Sequence, residues 1–375
     1  MSDALHDPNL RRDTPLALKL KAWIRQHGPM PVADYMDACL NDPECGYYRT
    51  QTAIGRHGDF ITAPEISQVF GELIGLWCAV VWRQMGSPPR LDLVEIGAGR
   101  GTLLADALRA LRVVPKFRAA IALHILDRNP ALVEAQRAAL SGSGVTAIWH
   151  ETFDTLPGDA HSIWVANEFL DTLPVEQLEK RDGAWTSRMI GMDSAGRLVF
   201  TTAPLDSAAS AVAHSFDADA WPDGAIVEIQ SANVIANVLQ RKRNDPIAAL
   251  FVDYGHAHPA SAETLQAVRN HRYEHILMSP GEADLSCQVD FADFARQVAG
   301  NASSAPLAID GPVTQAEFLG KLGIMERASR LMAANPGKAN AIEMGVARLM
   351  APQGMGTRFK AIGVRQAGLP TLPGF

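Results

Sequence analysis

From residue 91 to residue 167 the chain alternates between short apolar runs and amphipathic helical segments. The apolar runs read as strands, and the segments between them carry apolar residues at the spacing of a helix. The strands are LDLVEIG, AIALHIL, VTAIWH and SIWVAN, and the helices TLLADALRAL and ALVEAQRAAL follow the first two. Because strands that alternate with helices pair in parallel, the pattern predicts an α/β fold built on a mostly parallel, doubly wound sheet.

The segments before this region read as helices. Residues 15–27 and 32–40 have helical patterns, and the turn-rich MGSPPR ends a longer helix that begins after Thr62. We therefore expect an N-terminal helical section with a pocket loop over residues 1–86 and a core over residues 87–375.

Later segments change the pattern within this core. A period of two after residue 175 predicts an antiparallel hairpin, within an insertion at about residues 175–225. IAALFVDYG reads as another buried strand. Helices are expected near 291–298 and 315–322, and FKAIGVR reads as a final strand.

Composition and charge exclude several classes of protein for this chain. The 375 residues carry a formal net charge of −7, which argues against a nucleic-acid surface. The four cysteines form no C-x-x-C pair, so a disulfide framework and a structural zinc site are not expected. Neither a membrane-spanning run nor a secretory leader is visible, and the prediction is a cytoplasmic protein. The oligomeric state stays open, with a homodimer among the options.

The stretch GDFITAPEIS joins a charged, glycine-containing turn to an apolar helix. Thr62 and Glu65 have the spacing of a capping box, which would fix the start of the helix. The stretch either only caps the helix, or it forms a loop over a pocket with Asp59, Phe60, Thr62 and Glu65.

The line LVEIGAGRG contains Glu95, Gly97, Gly99 and Gly101 at a strand-to-helix junction. Glycines allow a tight turn and the close approach of a ligand, and helix-start N–H groups attract negative groups. A G-x-G-x-x-G spacing would favour a dinucleotide. Here the third glycine comes one residue early, and the line resembles motif I of class I S-adenosylmethionine-dependent methyltransferases. A nicotinamide oxidoreductase stays the alternative.

Asp127 ends the second predicted strand. A carboxylate there can accept hydrogen bonds from both hydroxyls of a ribose. The alternative is that Asp127 is an exposed helix cap ahead of Asn129 and Pro130.

Asn167 ends the strand SIWVAN, and Glu168 and Asp171 follow it, at the edge where doubly wound sheets bind ligands. Two carboxylates beside a methyl donor suit a cationic acceptor such as arginine, whose guanidinium they can grip. Asp171 could instead cap the segment that follows it. Asp253 and Tyr254 end another core strand and are expected at the same rim. No metal site is expected, because the histidines lack ligand spacing.

Five segments together resemble the MidA-type family of S-adenosylmethionine-dependent methyltransferases, which includes the mitochondrial complex I assembly methyltransferase. They are GDFITAPEISQVFGELIGLW, VEIGAGRGTL, ANEFLDTLPVE, FVDYGH and SPGEADLSCQVDF. The similarity extends over roughly residues 15–365. The chain departs from the family pattern in two segments, since Ala98 replaces a usual proline and SCQV replaces Thr-Ala-His-Val.

The resemblance implies a Rossmann-like methyltransferase core that binds S-adenosyl-L-methionine and methylates an arginine of a protein, such as a respiratory complex I subunit. It places Gly97, Gly99 and Gly101 at the donor, Glu168 and Asp171 on the acceptor side, and Asp59 in the loop over the pocket. The eukaryotic members are in the mitochondrial matrix. Two further alternatives stay open: a non-catalytic assembly factor, and a small-molecule acceptor. No nucleic acid partner and no membrane insertion are expected.

Overall fold

The computed structural model describes residues 11–50, 61–158, 160–206, 221–240, 246–258, 263–300 and 306–375. The chain forms two compact units, each built from separate stretches of sequence. The first unit contains Met1–Ala53, Asp171–Ser231 and Pro259–Asp293, and the second contains Ile54–Leu170, Ala232–His258 and Phe294–Phe375.

The helices, numbered along the chain, are α1 (Pro15–His27), α2 (Val32–Asn41), α3 (Tyr47–Thr50), α4 (Ala63–Ile66), α5 (Gln68–Gln84), α6 (Thr102–Ala110), α7 (Pro115–Ala120), α8 (Pro130–Leu140), α9 (Asn233–Leu239), α10 (Phe291–Ala299), α11 (Gln315–Lys321), α12 (Ile324–Ala334) and α13 (Ala339–Met350). The strands are β1 (Met30–Pro31), β2 (Leu91–Ile96), β3 (Ile121–Leu126), β4 (Ala147–His150), β5 (Ser162–Asn167), β6 (Val175–Arg181), β7 (Ala184–Met192), β8 (Leu198–Ala203), β9 (Ile226–Gln230), β10 (Ile247–His256), β11 (Gln266–Arg269), β12 (Arg272–Glu274), β13 (Asp284–Ser286), β14 (Val289–Asp290), β15 (Leu307–Thr314) and β16 (Phe359–Gln366).

The first unit contains antiparallel sheets. One has the order β1-β7-β6-β9, with β8 paired to β7, and a smaller one has the order β12-β11-β13. The predicted hairpin is confirmed, because β7 and β8 pair antiparallel from Ser187↔Ala203 to Met192↔Leu198. The helices predicted at 15–27 and 32–40 are also confirmed and belong to this unit.

The second unit is organised around a mixed sheet with the strand order β15-β16-β10-β5-β2-β3-β4. The strands from β10 to β4 are parallel, and β16 is antiparallel to both of its neighbours. Strands β2 and β5 are buried along their whole length, as expected for parallel strands covered on both faces. The predicted α/β class with a mostly parallel sheet is confirmed.

The predicted boundary after residue 86 does not coincide with the division into units. Helix α5, which lies before that boundary, belongs to the second unit and packs against α6. Val69, Phe70 and Trp77 of α5 are fully buried in the core of this unit. The apolar face of the helix therefore joins it to the sheet rather than to α1 and α2.

The single helix predicted after Thr62 is wrong, because the chain breaks at Ser67 into α4 and α5. Ser67 is extended, and its hydroxyl accepts a hydrogen bond from the N–H of Val69 at 3.3 Å. Gly345 of α13 approaches this break so closely that a Cβ there would lie 2.9 Å from the Ile66 carbonyl oxygen. The helical period continues through the break, so the sequence pattern did not reveal it.

Other elements were not predicted. Helix α7 begins at Pro115 and lies between α6 and β3, where the pattern predicted no element. Helices α12 and α13 and strand β15 were also missed.

Candidate functional site

The sheet of the second unit reverses its strand order beside β2. Strands β3 and β4 lie on one side of β2, and β5 and β10 lie on the other. Because these strands are parallel, their carboxyl ends meet at one edge. Open α/β sheets bind ligands outside this edge, where the order reverses. A cavity lies there, lined by Gly97 and Gly99 after β2, by Asn167 at the end of β5 and by Glu168 after it.

The turn after β2 requires its glycines. Gly97, Gly99 and Gly101 have φ angles of 68°, 53° and 80°, in the left-handed region that favours glycine. A Cβ at Gly97 would lie 3.0 Å from Cδ2 of Phe169, so the space is also restricted. At Gly97 and Gly99 the turn presents backbone without a side chain to the cavity, which fits the close approach of a ligand.

Glu95 lines the same cavity although its residue is only 3% exposed. Burial, and then the charge of Asp127, raise the pKa of its carboxyl to about 8. Its Oε2 atom has no hydrogen-bond partner among the described residues. A buried polar atom without a partner in a cavity wall is a feature that a polar ligand would satisfy.

Glu168 is held in an uncommon backbone conformation, with φ at 53°. Its N–H donates to the Val252 carbonyl at 2.9 Å, and its Oε1 accepts from the N–H of Ala63 at 2.9 Å and from Nδ2 of Asn167 at 3.1 Å. Strain of this kind costs about 1–3 kcal/mol and concentrates at functional sites. Oδ1 of Asn167 is buried and has no partner in the described part of the chain.

The start of α4 forms another wall of the cavity. Thr62, Pro64 and Glu65 line it. The predicted capping box is wrong, because the Thr62 side chain makes no capping hydrogen bond. Glu65 accepts a hydrogen bond from the hydroxyl of Thr102 on α6 instead. Asp59 and Phe60, which were predicted in the pocket loop, lie outside the described residues.

Asp127 lies after β3, the neighbour of β2, and does not line the cavity. Its Oδ1 accepts from the N–H of Asn129 at 2.9 Å, and its Oδ2 accepts from Nε2 of Gln136 at 2.6 Å. The alternative that Asp127 caps the next helix is wrong. Asn129 is the cap, because its Oδ1 accepts from the N–H groups of Ala131 and Leu132.

Gln136 was missed by the sequence analysis. It is completely buried on α8, and it contacts both the glycine turn and Asp127. A signal was present, because Gln136 lies four residues from both Leu132 and Leu140 on the apolar face of the helix. A polar residue in such a row must find hydrogen-bond partners inside the protein.

Asp253 and Tyr254 are not among the residues that line the cavity, and their predicted place in the pocket stays a prediction. Asp253 is fully buried, and its Oδ2 accepts from the N–H of Phe169 at 3.0 Å. The ring of Tyr254 packs edge-to-face on Phe359. Asp253 thus holds the backbone that follows Glu168 rather than a ligand.

Asp171 is assigned to the first unit. Its carbonyl oxygen accepts from the N–H of Cys287 at 3.0 Å. Its charge is among the influences that raise the pKa of Tyr48, after burial and the charge of Asp284. The predicted catalytic role of Asp171 stays a prediction.

The described residues contain one group with metal-ligand spacing, formed by Asp42, Glu44 and Cys45. The ammonium of Lys19 lies 3.1 Å from Oδ1 of Asp42 and 2.6 Å from Oε2 of Glu44, so a cation of the chain itself is already there. Among the described helices, none combines the length and apolar character needed to span a bilayer.

Comparisons with known proteins agree with this geometry. Residues 73–309 match a family described as "Putative S-adenosyl-L-methionine-dependent methyltransferase". The mitochondrial protein arginine methyltransferase NDUFAF7 homolog of Drosophila melanogaster is 34% identical, over 96% of this chain and 87% of the relative. The protein arginine methyltransferase NDUFAF7 of Homo sapiens is 32% identical, over 92% and 82%.

A solved structure from Burkholderia thailandensis, bound to S-adenosyl-homocysteine, superimposes with a TM-score of 0.83. It is 26% identical, and the match covers 100% of this chain and 96% of that one. The sequence of the glycine turn was compatible with binding either a methyl donor or a dinucleotide. These matches support the methyl donor. The chain belongs to the family of S-adenosyl-L-methionine-dependent methyltransferases.

Proposed function

We propose that this methyltransferase acts on an arginine side chain of a protein. The carrying observation is Glu168, whose carboxylate lines the cavity beside the glycine turn and is held there by an uncommon backbone conformation. The names of the relatives, which are protein arginine methyltransferases, support the same acceptor.

The donor side consists of the glycine turn and two carboxylates. Gly97, Gly99 and Gly101 would leave room for S-adenosyl-L-methionine, and Asp127 would accept hydrogen bonds from its ribose hydroxyls. Glu95, with its unpartnered Oε2, would face a polar or cationic part of the donor. When bound, the donor supplies a methyl group activated by a positively charged sulfur.

The acceptor side consists of Glu168 and Asn167. A guanidinium is a planar set of N–H donors with a pKa above about 12, and a carboxylate binds it in a defined orientation. Glu168 would hold the charge on two nitrogens and leave the third turned to the methyl group. The buried Oδ1 of Asn167 would accept a further N–H. Orientation of this kind can lower a barrier by about 7–11 kcal/mol.

The proposal also includes a cover over the cavity, formed by four residues. Thr62 and Glu65, which line the cavity, would form its cover together with Asp59 and Phe60. A cover that excludes water would strengthen the electrostatic contacts to the acceptor.

Donor binding is tested by calorimetric titration with S-adenosyl-homocysteine. We expect a dissociation constant in about the micromolar range, which corresponds to about −8 kcal/mol. A protein that is folded and shows no heat of binding would remove the proposal.

The acceptor role is tested with Glu168→Gln, which keeps the shape of the side chain and removes its charge. Purified protein is incubated with S-adenosyl-L-methionine and an arginine-containing proteome, and methyl-arginine is counted by mass spectrometry. We expect the rate to fall by about 100-fold or more, while S-adenosyl-homocysteine binding stays within about threefold. Glu134→Gln, on the exposed side of α8, is the matched control and should keep the rate. Unchanged methylation by Glu168→Gln would contradict the role.

The same variant separates catalysis from an assembly role. If the chain acts only as an assembly factor, the Glu168→Gln variant would restore complex I assembly in cells that lack the protein. If methylation is the function, the variant would fail to restore it while the Glu134→Gln control succeeds.

We infer that a respiratory complex I subunit is the substrate, on the strength of the family resemblance. The relatives carry the label mitochondrial, and for this chain we keep a cytoplasmic location as the proposal. Comparing methyl-arginine in complex I subunits of the source cell with and without the protein tests the substrate. Fractionation of the cell tests the location.

A further inference from the structure

Gln136 connects three parts of the second unit through one buried amide. Its Nε2 donates to the Gly99 carbonyl at 2.8 Å and to Oδ2 of Asp127 at 2.6 Å. Its Oε1 accepts from Nε1 of Trp149 on β4 at 2.9 Å. We propose that Gln136 is a positioning residue for the methyl donor, which holds the Asp127 carboxylate and the glycine turn in one fixed relation.

Trp149 determines which way the amide points. An indole N–H can only donate, so it requires the amide oxygen on its side. The NH₂ group must then face Gly99 and Asp127, and both of its hydrogens are used. The guanidinium of Arg137 lies over the Trp149 ring at 4.0 Å from its centroid, which further holds the indole.

The contacts leave Asp127 oriented but not saturated. Oδ1 accepts from the N–H of Asn129, Oδ2 accepts from Nε2 of Gln136, and the backbone of Arg128 gives a further hydrogen bond to the carboxylate, whose two oxygens together offer about four acceptor sites. Burial raises the pKa of Asp127, and the hydrogen bonds from Asn129, Gln136 and the Arg128 backbone act in the opposite direction and favour the charged form. A charged carboxylate with a fixed plane is what two neighbouring hydroxyls would need.

The hydrogen bond from Gln136 to the Gly99 carbonyl also holds the glycine turn in place. Gly101 lies against α8, and a Cβ there would be 3.2 Å from the Cα of Gln136. The turn is therefore held by the helix backbone at one residue and by the amide at another. Loss of the amide would free the turn and the carboxylate together.

No other side chain of this size supplies the same set of groups. A glutamate would place an oxygen against both the Gly99 carbonyl and Asp127, where neither contact is favourable while the group is charged. Once protonated, it would donate one hydrogen bond and recover part of the arrangement. A methionine would fill the space and donate none.

The inference rests on the proposed donor role of Asp127, and the experiment separates the two. S-adenosyl-homocysteine and adenosine are titrated calorimetrically into the wild type, Gln136→Glu and Gln136→Met at about pH 6 and about pH 8. The affinity of each variant is expressed relative to the wild type at the same pH. Ala138→Glu, which adds a charge on the exposed face of the same helix, is the control.

We expect Gln136→Met to bind both ligands about tenfold more weakly at either pH. Gln136→Glu should bind about 100-fold more weakly at about pH 8 and recover to within about tenfold of the wild type at about pH 6. Ala138→Glu should stay within about twofold. A side chain that only supports the fold would lower the free energy of unfolding of the variants and leave ligand affinity of the folded protein unchanged.

Wild-type affinity for both ligands in Gln136→Glu at both pH values would overturn the inference and leave the proposed function standing. Absence of binding by the wild type would remove the proposed function and the inference with it. If Gln136→Glu fails to fold, Trp149→Phe is the second test, because it removes the N–H that orients the amide and keeps an aromatic ring at that position. We expect it to weaken adenosine binding about three- to tenfold, and unchanged binding would again overturn the inference.

Discussion

Glu95 makes the free energy of unfolding depend on pH. Burial and the charge of Asp127 raise the pKa of its carboxyl from 4.5 to about 8 in the folded chain. As the pH rises, the unfolded chain therefore releases this proton first and binds fewer protons than the folded one. Between these two pKa values the contribution of Glu95 to stability is lost progressively with rising pH.

Glu95→Gln should remove this dependence. We expect the variant and the wild type to be equally stable at about pH 4.5, and the variant to be the more stable one at about pH 8. Urea unfolding of both proteins across this range measures the difference. A wild type that gains stability relative to Glu95→Gln as the pH rises would contradict the assignment of a raised pKa. Glu134→Gln, at an exposed position, should leave the profile unchanged.

Asp253 shows how a residue can matter to the cavity without lining it. Its carboxylate accepts the N–H of Phe169, directly after the strained Glu168. Asp253→Ala should leave that N–H without its partner and let the Glu168 turn relax. We expect methylation to fall by about tenfold or more while S-adenosyl-homocysteine binding changes little. Equal losses of binding and rate would instead indicate a general loss of structure.

Among the helices, α5, α6 and α12 are tied together by one buried carboxylate. Glu72 of α5 is 2% exposed, and it accepts from Arg109 of α6 at 3.0 Å and from Arg327 of α12 at 2.7 Å. Both arginines are partly exposed, at 43% and 32% of their side chains. They can therefore reach water if the carboxylate is removed, which limits the cost.

Glu72→Ala should lower the free energy of unfolding by about 2–3 kcal/mol, below the about 3–5 kcal/mol typical of a fully buried pair that loses one partner. Chemical denaturation measures the change. Glu326→Ala, an exposed glutamate in the first turn of α12, should change it by less than about 0.5 kcal/mol. Equal effects of the two substitutions would show that the Glu72 contacts do not hold the helices.

At the scale of the whole molecule, the chain end is part of the core of the second unit. Leu372 is 1% exposed, and its N–H donates to Oδ2 of Asp310 at 2.9 Å. The Pro373 carbonyl accepts from Nε1 of the buried Trp77 at 3.0 Å. Residues 369–375 thus complete the hydrogen bonds of side chains that lie 62 and 296 residues earlier in the chain.

Deleting residues 369–375 should lower the free energy of unfolding by about 3–5 kcal/mol. Burial of a leucine is worth about 1.5–3 kcal/mol, and the buried indole N–H would lose its partner. Thermal unfolding followed by Trp fluorescence measures the loss. Leu372→Ala alone should cost about 2–4 kcal/mol, and an unchanged midpoint for the deletion would contradict the prediction.

The sequence by itself determined the features that depend on neighbours along the chain. Strands β2, β3 and β5 and the helices after the first two were predicted from periodicity. The glycines of the turn after β2 were predicted from the need for an unusual backbone, and their φ angles are positive as expected. The sequence predicted polar residues at the carboxyl edge of the sheet, where parallel strands all end, and the cavity lies at that edge.

Only the tertiary structure decided which side chains meet at that edge. The Ala63 N–H and the Glu168 carboxylate are 105 residues apart, and Phe169 and Asp253 are 84 apart. Periodicity and spacing describe one segment at a time, so they could not separate Asp253, which holds backbone, from Glu168, which lines the cavity. Burial and hydrogen bonding between distant segments assign such roles, and these exist only once the strands have paired and the helices have packed.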